Sequence, residues 1–322
     1  MHLRLKKAII VFFVLFSLVN AVAFFHAWRF THFVNGSYIK KKPEQMTASE
    51  KMQAVCFGVK IGRPINKTTP DAPYETIRLN CNGVTLEGWY TPTEQPKGTV
   101  IIFHGYSGCK AFMLDKADLF QELGYNTLNI DFQDSGGSTG SSTTIGFEEG
   151  KEVETAYSYI QNKNPNKNQK IYLFGTSMGA AAILKALDYA ALNHIPTFRP
   201  NGVIIECPFG TMRQTVASRF HNMHLPAFPL SDILLFWGGV QNGFNAFAHN
   251  PQEYAKSTHC PTLLMWGEKD LNVSRMETEA IFQNLQGEKQ LVTFPLAGHE
   301  NYLVKYRKEW TNAVSLFLTA NK

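Results

Sequence analysis

The sequence is poor in charge: Asp, Glu, Lys and Arg make up 18% of its 322 residues, and Lys plus Arg outnumber Asp plus Glu by only 31 to 26. That small excess, with no basic stripe interleaved with aromatics, argues against a nucleic-acid partner. With 44% hydrophobic residues, the chain is not mainly disordered either. Glycine and proline, at 24 and 15, stay near average usage, which excludes collagen-like and low-complexity chains. Cysteine is scarce. The five residues Cys56, Cys81, Cys109, Cys207 and Cys260 are odd in number, and no pair has metal or redox spacing. His221 and His224 have no Cys or acidic partner at ligand spacing, and Gly136-Gly137 lacks the lysine of a phosphate loop. No metal and no cofactor is therefore expected. Internal repeats are missing as well. What is left is a chain long enough to bury a sizeable core, as one large α/β domain or two ordinary ones.

One thing the sequence does have is an uninterrupted apolar run. From Ala8 to Trp28 there are 21 residues without Asp, Glu, Lys or Arg. As a helix this run spans roughly 31 Å, enough to cross a hydrocarbon core. Arg4, Lys6 and Lys7 precede it, the flank of either a signal peptide or an N-in anchor. Ala21-Val22-Ala23 fits a signal-peptidase site, but the run continues through Phe24, Phe25, Ala27 and Trp28. Residues 1–28 thus predict a retained transmembrane anchor, with a cleaved signal peptide as the alternative. Arg29 and Lys40 to Lys42 follow the span and blur its orientation. The usual N-in arrangement gives a single-pass membrane protein with its domain outside the cytoplasm; cleavage would give a secreted or periplasmic one.

Residues 29–75 are polar and broken by Pro43, Pro64, Pro70 and Pro73, and read as a linker and irregular lead-in. From 76 to 320 strand and helix signals alternate, the pattern of a mostly parallel sheet with helices on both faces. Strands are expected at 76–79, 84–90, 99–103, 126–131, 170–174, 202–206, 261–266 and 289–294. Helical patterns lie around 112–123, 147–162, 178–192, 274–285 and 302–319. Between two consecutive strands falls an insertion at about 209–259, with Phe220, Met223, Phe228, Leu234, Leu235, Phe236, Trp237, Phe244 and Phe247. So apolar an insertion is not a solvated loop and should fold over something.

The chemistry concentrates at Gly175-Thr176-Ser177-Met178-Gly179, which follows the apolar run Ile171 to Phe174 and opens an Ala-rich helix. A sharp strand-to-helix turn presents the Ser177 hydroxyl above the sheet, and Gly175 and Gly179 let neighbouring backbone approach. A serine needs a base, and the base an orienting acid. Of ten histidines, His299 in Ala297-Gly298-His299-Glu300 is best placed, directly after the last strand. Asp270 in Gly267-Glu268-Lys269-Asp270 supplies the acid, with Glu206 or Glu268 as substitutes. An oxyanion needs donors: the Met178 N–H at a helix start, and a second from His104-Gly105-Tyr106-Ser107-Gly108, with Tyr106 the first choice and Gly105 the second. His104 lies too early in the chain for the base and is expected to brace this loop.

These motifs resemble the α/β-hydrolase superfamily, in particular its serine aminopeptidase-like and lysophospholipase-like serine hydrolases. The likeness covers about residues 76–320 and rests on HGYSG, GTSMG, GEKD and AGHE, together with Asp131-Phe132-Gln133-Asp134-Ser135-Gly136-Gly137-Ser138. That last segment is similar to the family's D-x-R-G-x-G-x-S turn but carries Gln133-Asp134 where Arg-Gly is usual. The resemblance implies an α/β-hydrolase fold and a helical lid at the 209–259 insertion. It also fits the chain order Ser177, Asp270, His299. The expected function is a membrane-anchored serine hydrolase cleaving ester, thioester or amide bonds through an acyl-enzyme, with a lipid-like or acylated substrate. The alternatives are a small-peptide aminopeptidase and a catalytically silent, membrane-tethered scaffold.

Overall fold

Eight strands form one sheet: β1 (Glu75–Cys81), β2 (Val84–Thr91), β3 (Gly98–Phe103), β4 (Asn126–Ile130), β5 (Lys170–Thr176), β6 (Gly202–Glu206), β7 (Thr262–Gly267) and β8 (Lys289–Phe294). Their order across the sheet is β1-β2-β4-β3-β5-β6-β7-β8. The two pairings of β2 are antiparallel and all the others are parallel. The computed structural model describes residues 2–36, 45–163 and 169–321. Lys40 to Lys42 and Pro43 lie outside the described residues.

Helices α1 (His2–Thr31) and α2 (Ala48–Phe57) precede the sheet, followed by α3 (Leu114–Glu122), α4 (Glu149–Lys163), α5 (Met178–Leu192), α6 (Met212–Asn222), α7 (Leu230–Asn242), α8 (Pro251–Tyr254), α9 (Arg275–Asn284), α10 (Tyr302–Lys305) and α11 (Arg307–Ala320). The apolar runs of β3, β4, β6 and β7 are buried at every residue, because helices cover both faces. One face packs on α4, α5 and α9 through residues such as Val153, Ile183 and Ile281. The other packs on α3 and α11, where Phe120 and Trp310 meet edge to face. Strand β8 is an edge and is half exposed, and β1 alternates between exposed and buried residues at the opposite edge.

The expected strands and helices from residue 76 onward all appear. The lead-in differs from its expected irregular course, because it contains α2. That helix starts on a capping box in which Thr47 and Glu50 satisfy each other's backbone N–H groups. The lead-in is also pinned to the domain. Val34 bridges Gly62, Arg63 pairs with Asp134 at 3.4 Å, and the Gly136 N–H donates to the Pro64 carbonyl at 2.9 Å. Asp134, one of the two departures from the family turn, also accepts the Phe33 N–H at 3.3 Å.

Helix α1 is long and apolar enough to cross a membrane. Leu5 to Phe16 project apolar side chains outward, while Ala23, Ala27 and Thr31 are buried against the domain. The second half of α1 packs along α7: Phe24 stacks edge to face on Trp237, whose indole N–H donates to Asn20 Oδ1 at 3.1 Å, and Gln241 donates to the Phe24 carbonyl at 2.8 Å. The insertion itself folds as α6, α7 and α8 over the strand ends, with Leu235 and Met212 packed on Trp266.

Beneath the turn after β4 lies a buried polar knot. The Asp131 carboxylate accepts from the Lys110 ammonium and backbone N–H, from Asn66 at 2.7 Å and from the Gly137 N–H at 2.8 Å. Glu87 meets the same ammonium at 3.0 Å, and the Trp89 ring covers it at 4.3 Å. Asp131→Ala would strand the buried Lys110 charge and several donors. The expected cost is about 3–5 kcal/mol, read as a fall in melting temperature on the order of 10 °C; a shift within 2 °C or so would show that the knot contributes little.

Candidate active site

The turn joining β5 to α5 is sharp because two glycines permit it. A Cβ on Gly175 would lie 2.6 Å from the Gly179 carbonyl carbon, and one on Gly179 would lie 2.5 Å from the Phe103 oxygen. Between them Ser177 is held at φ 52°, ψ −109°, a backbone region that non-glycine residues rarely occupy. Its N–H donates to the Glu206 carbonyl at 2.8 Å, which ties the strained turn to β6. The side chain is thereby lifted off the C-terminal edge of the sheet, where open α/β folds place their ligands.

His299 arrives on the loop after β8 and Asp270 on the loop after β7. These loops approach closely because Gly267 has no side chain: a Cβ there would lie 2.5 Å from the Ala297 oxygen. His299 Nε2 stands 3.0 Å from Ser177 Oγ, and His299 Nδ1 stands 2.7 Å from Asp270 Oδ2. The other oxygen of Asp270 accepts the N–H groups of Asn272 and Val273 at 2.7 and 2.9 Å, so the carboxylate is held from both sides. The two substitute acids are engaged elsewhere. Glu206 accepts from the Trp310 indole at 2.5 Å and from Thr176 at 3.1 Å, and Glu268 accepts from Thr293 at 2.8 Å.

The loop after β3 lies beside the serine, with Gly105 packed near the Ser177 side chain. His104 is fully buried. Its Nε2 accepts the Phe132 N–H at 3.0 Å, which leaves Nδ1 to donate to the Gly105 carbonyl at 2.8 Å. Burial lowers its pKa, as suits a neutral brace. Among the described residues, the N–H groups of Tyr106 and Met178 donate to no protein acceptor. The Tyr106 phenol donates to the Phe30 carbonyl at 2.6 Å, at the end of α1, and burial pushes its pKa up. The loop that would hold an oxyanion is thus fastened to the N-terminal helix.

Cys207, directly after β6, flanks the site as its place next to a strand end allowed. Its sulfur, one carboxylate oxygen of Asp270 and one ring nitrogen of His299 lie within 4.8 Å of one another, the one set of metal-ligand spacing among the described residues. Both His299 nitrogens are already engaged by Asp270 and Ser177, so an ion bound there would break the relay. The neighbouring Cys207 sulfur, and then the hydrogen bond that the ring donates to Asp270, hold the His299 pKa above its ordinary 6.5, against the effect of burial.

Next to Tyr106 opens a cavity of about 1350 Å³ between α1, the lead-in and the insertion. Val22 of α1, Ile65 of the lead-in, and Phe220 and Leu234 of the insertion are among its walls. A smaller cavity of about 110 Å³, also bordered by Tyr106, extends under Ile145 and Met212.

The chain is similar to known proteins. The family described as serine aminopeptidase, S33, matches residues 94–253, a span that holds the Tyr106 loop, the Ser177 turn and most of the insertion but stops short of Asp270 and His299. The chain is 27% identical over 237 residues to the uncharacterised protein YqkD of Bacillus subtilis, covering 73% of this chain and 76% of that one. It is 25% identical over 241 residues to the uncharacterised protein Rv2307c of Mycobacterium tuberculosis, covering 74% and 76%. Among solved structures it is similar to the esterase Pf2001 of Pyrococcus furiosus, with a TM-score of 0.64 and 22% identity over 80% of this chain and 97% of that one. A second is the α/β hydrolase GrgF of Penicillium sp. sh18, with a TM-score of 0.59 and 19% identity over 77% and 99%.

Because His299 is held above its ordinary pKa, its neutral form is reached only at higher pH. Cys207→Ala should lower the midpoint of the His299 ring-proton titration followed by NMR. An unchanged midpoint would show that the sulfur does not act on the imidazole.

Proposed function

We propose that this chain, an α/β hydrolase of the serine-esterase type, is held at a membrane by α1 and cleaves acyl esters of lipid-like or acylated substrates through an acyl-enzyme on Ser177. The observation that carries the reading is the unbroken relay from Ser177 through His299 to Asp270, at 3.0 and 2.7 Å, built on a strained serine.

In this reading His299 Nε2 removes the hydroxyl proton as Ser177 Oγ attacks the acyl carbon. The resulting oxyanion accepts the N–H groups of Tyr106 and Met178, donors already aimed before charge develops. The bond to the leaving alcohol then breaks as the imidazolium returns the proton to its oxygen. Water repeats the sequence, releasing the carboxylic acid and regenerating the serine. Asp270 fixes the tautomer that leaves Nε2 free to accept, and stabilises the imidazolium that forms.

Helices α6 and α7 serve as the lid, and the apolar walls of the cavity suit an acyl chain. An aminopeptidase needs an acceptor for the charged α-amino group of its substrate. Among the described residues no Asp or Glu lines the cavity, which favours an ester over a peptide. Retention of α1 is favoured over cleavage at Ala21-Val22-Ala23, because a cut there would take Asn20 from its Trp237 partner and strip Ala23 from its buried position.

Labelling by a fluorophosphonate, which needs only an activated serine, tests the relay. The wild type should label and Ser177→Ala should not. Asp270→Asn should keep the fold and lower kcat on 4-nitrophenyl butyrate by about 10³- to 10⁴-fold, through the wrong imidazole tautomer. A well-folded wild type that does not label in phospholipid nanodiscs would refute the hydrolase reading.

A further inference from the structure

The cavity beside Tyr106 has a polarity that the acyl-ester reading does not require. Arg29, Lys60, Arg63, Lys67 and Arg219 all line it, with no acidic residue among the described residues, in a chain whose Lys plus Arg exceed Asp plus Glu only by 31 to 26. Chance scattering of so balanced a charge set would place acids there too. Arg63 is ion-paired to Asp134. Among the described residues the other four have no carboxylate partner, and the Arg219 guanidinium rests 5.8 Å from the Phe30 ring centroid.

The charges and the apolar walls are also ordered along one element. On α1, Leu18, Val19 and Val22 face the cavity toward the free end of the helix, and Arg29 faces it at the domain end, beside the Phe30 carbonyl that holds Tyr106. Leu18 and Arg29 are separated by roughly 16 Å along the axis, at about 1.5 Å per residue. Along α1 the cavity wall is therefore cationic at the domain end, beside Tyr106, and apolar toward the part that projects from the domain.

The depth of the helix sets where this wall lies. Ala8 to Trp28 form the charge-free stretch, and a span needs about 20 such residues. Arg4 to Leu18 are exposed throughout, so the span is completed by a stretch that packs on α7 and lines the cavity on part of its surface. Phe228, Phe236 and Val240 of the insertion are exposed alongside.

Resting on the hydrolase reading, we infer that α1 is a substrate-binding element as well as an anchor. The cavity takes an amphiphile with a single acyl chain and an anionic headgroup, its chain along Leu18 to Val22 and its head against Arg29, Lys60 and Arg219. Such a molecule enters sideways from the leaflet without leaving apolar surroundings.

The test uses the full chain in phosphatidylcholine nanodiscs and three probes: dodecyl phosphate, dodecyl maltoside and inorganic phosphate. Dodecyl phosphate should raise the melting temperature and slow fluorophosphonate labelling, while the neutral amphiphile and the free anion should do neither. Lys60→Gln with Arg219→Gln should raise the half-protecting concentration about tenfold, the loss of charge-assisted contacts. Val22→Trp, at an exposed helix position that does not threaten folding, should weaken protection by a similar factor. Equal protection by dodecyl maltoside, or variants that leave protection unchanged, would overturn the inference. Stabilisation by dodecyl phosphate that depends on Lys60 and Arg219, in a protein whose serine does not label, would uphold the binding site and refute the hydrolase reading alone.

Discussion

The close approach of two backbones at the β5–α5 turn is the constraint from which the site follows. Gly179 sits against the carbonyls of Phe103 and His104, and Gly175 sits against Gly179 itself. With no side chains in the way, β3 and β5 can deliver the Tyr106 loop and the Ser177 turn to one place. The cost is a serine in a backbone region that L-residues avoid, typically 1–3 kcal/mol. The surroundings impose that conformation through the Ser177 N–H bond to β6 and the packed helix that follows. A hydroxyl held this way has little freedom to turn away from His299, so orientation is settled in folding and not at each encounter.

Most of this was legible in the sequence, and for identifiable reasons. Parallel strands buried on both faces have to be continuous apolar runs, so Val100 to Phe103 and Leu263 to Trp266 could be read as strands. Glycine at a forced close approach leaves a visible mark, as at Gly175 and Gly179. The chain order of Ser177, Asp270 and His299 put each on a loop at a strand end, where the structure has them within hydrogen-bond reach of one another. Less legible was anything set by distance in space without a pattern in sequence. Cys207 lies many residues from His299, and a lone buried thiol carries no spacing signal. The partnership of Arg63 with Asp134 was hidden for the same reason. Helix α2 was a different case: its capping box, Thr47 with Glu50, stood in the sequence, but the surrounding prolines and lysines outweighed it.

The N-terminal helix shows the limit of reading by composition. Hydropathy reports how apolar Ala8 to Trp28 is, and is silent on which half meets lipid and which half meets protein. In the structure the two halves differ in kind. The first half has its side chains outside the domain, and the second accepts hydrogen bonds through Asn20, Phe24 and Phe30 from α7 and Tyr106. Asn20, a polar residue in mid-run, is accounted for by its Trp237 partner.

That docking has a mechanical side. A helix fastened to its domain along several turns has no swivel, so if α1 spans a membrane as proposed, the domain inherits its tilt. Transmembrane helices adjust their tilt to the thickness of the bilayer, with about 20° as the average. For a protein on a flexible tether this adjustment is lost in the linker. Here it would be carried through α7 and the Phe30 carbonyl to the loop beside Ser177. Bilayer thickness would then set the height at which the cavity mouth meets the headgroups, and the same chain would face a different layer of a thin membrane than of a thick one.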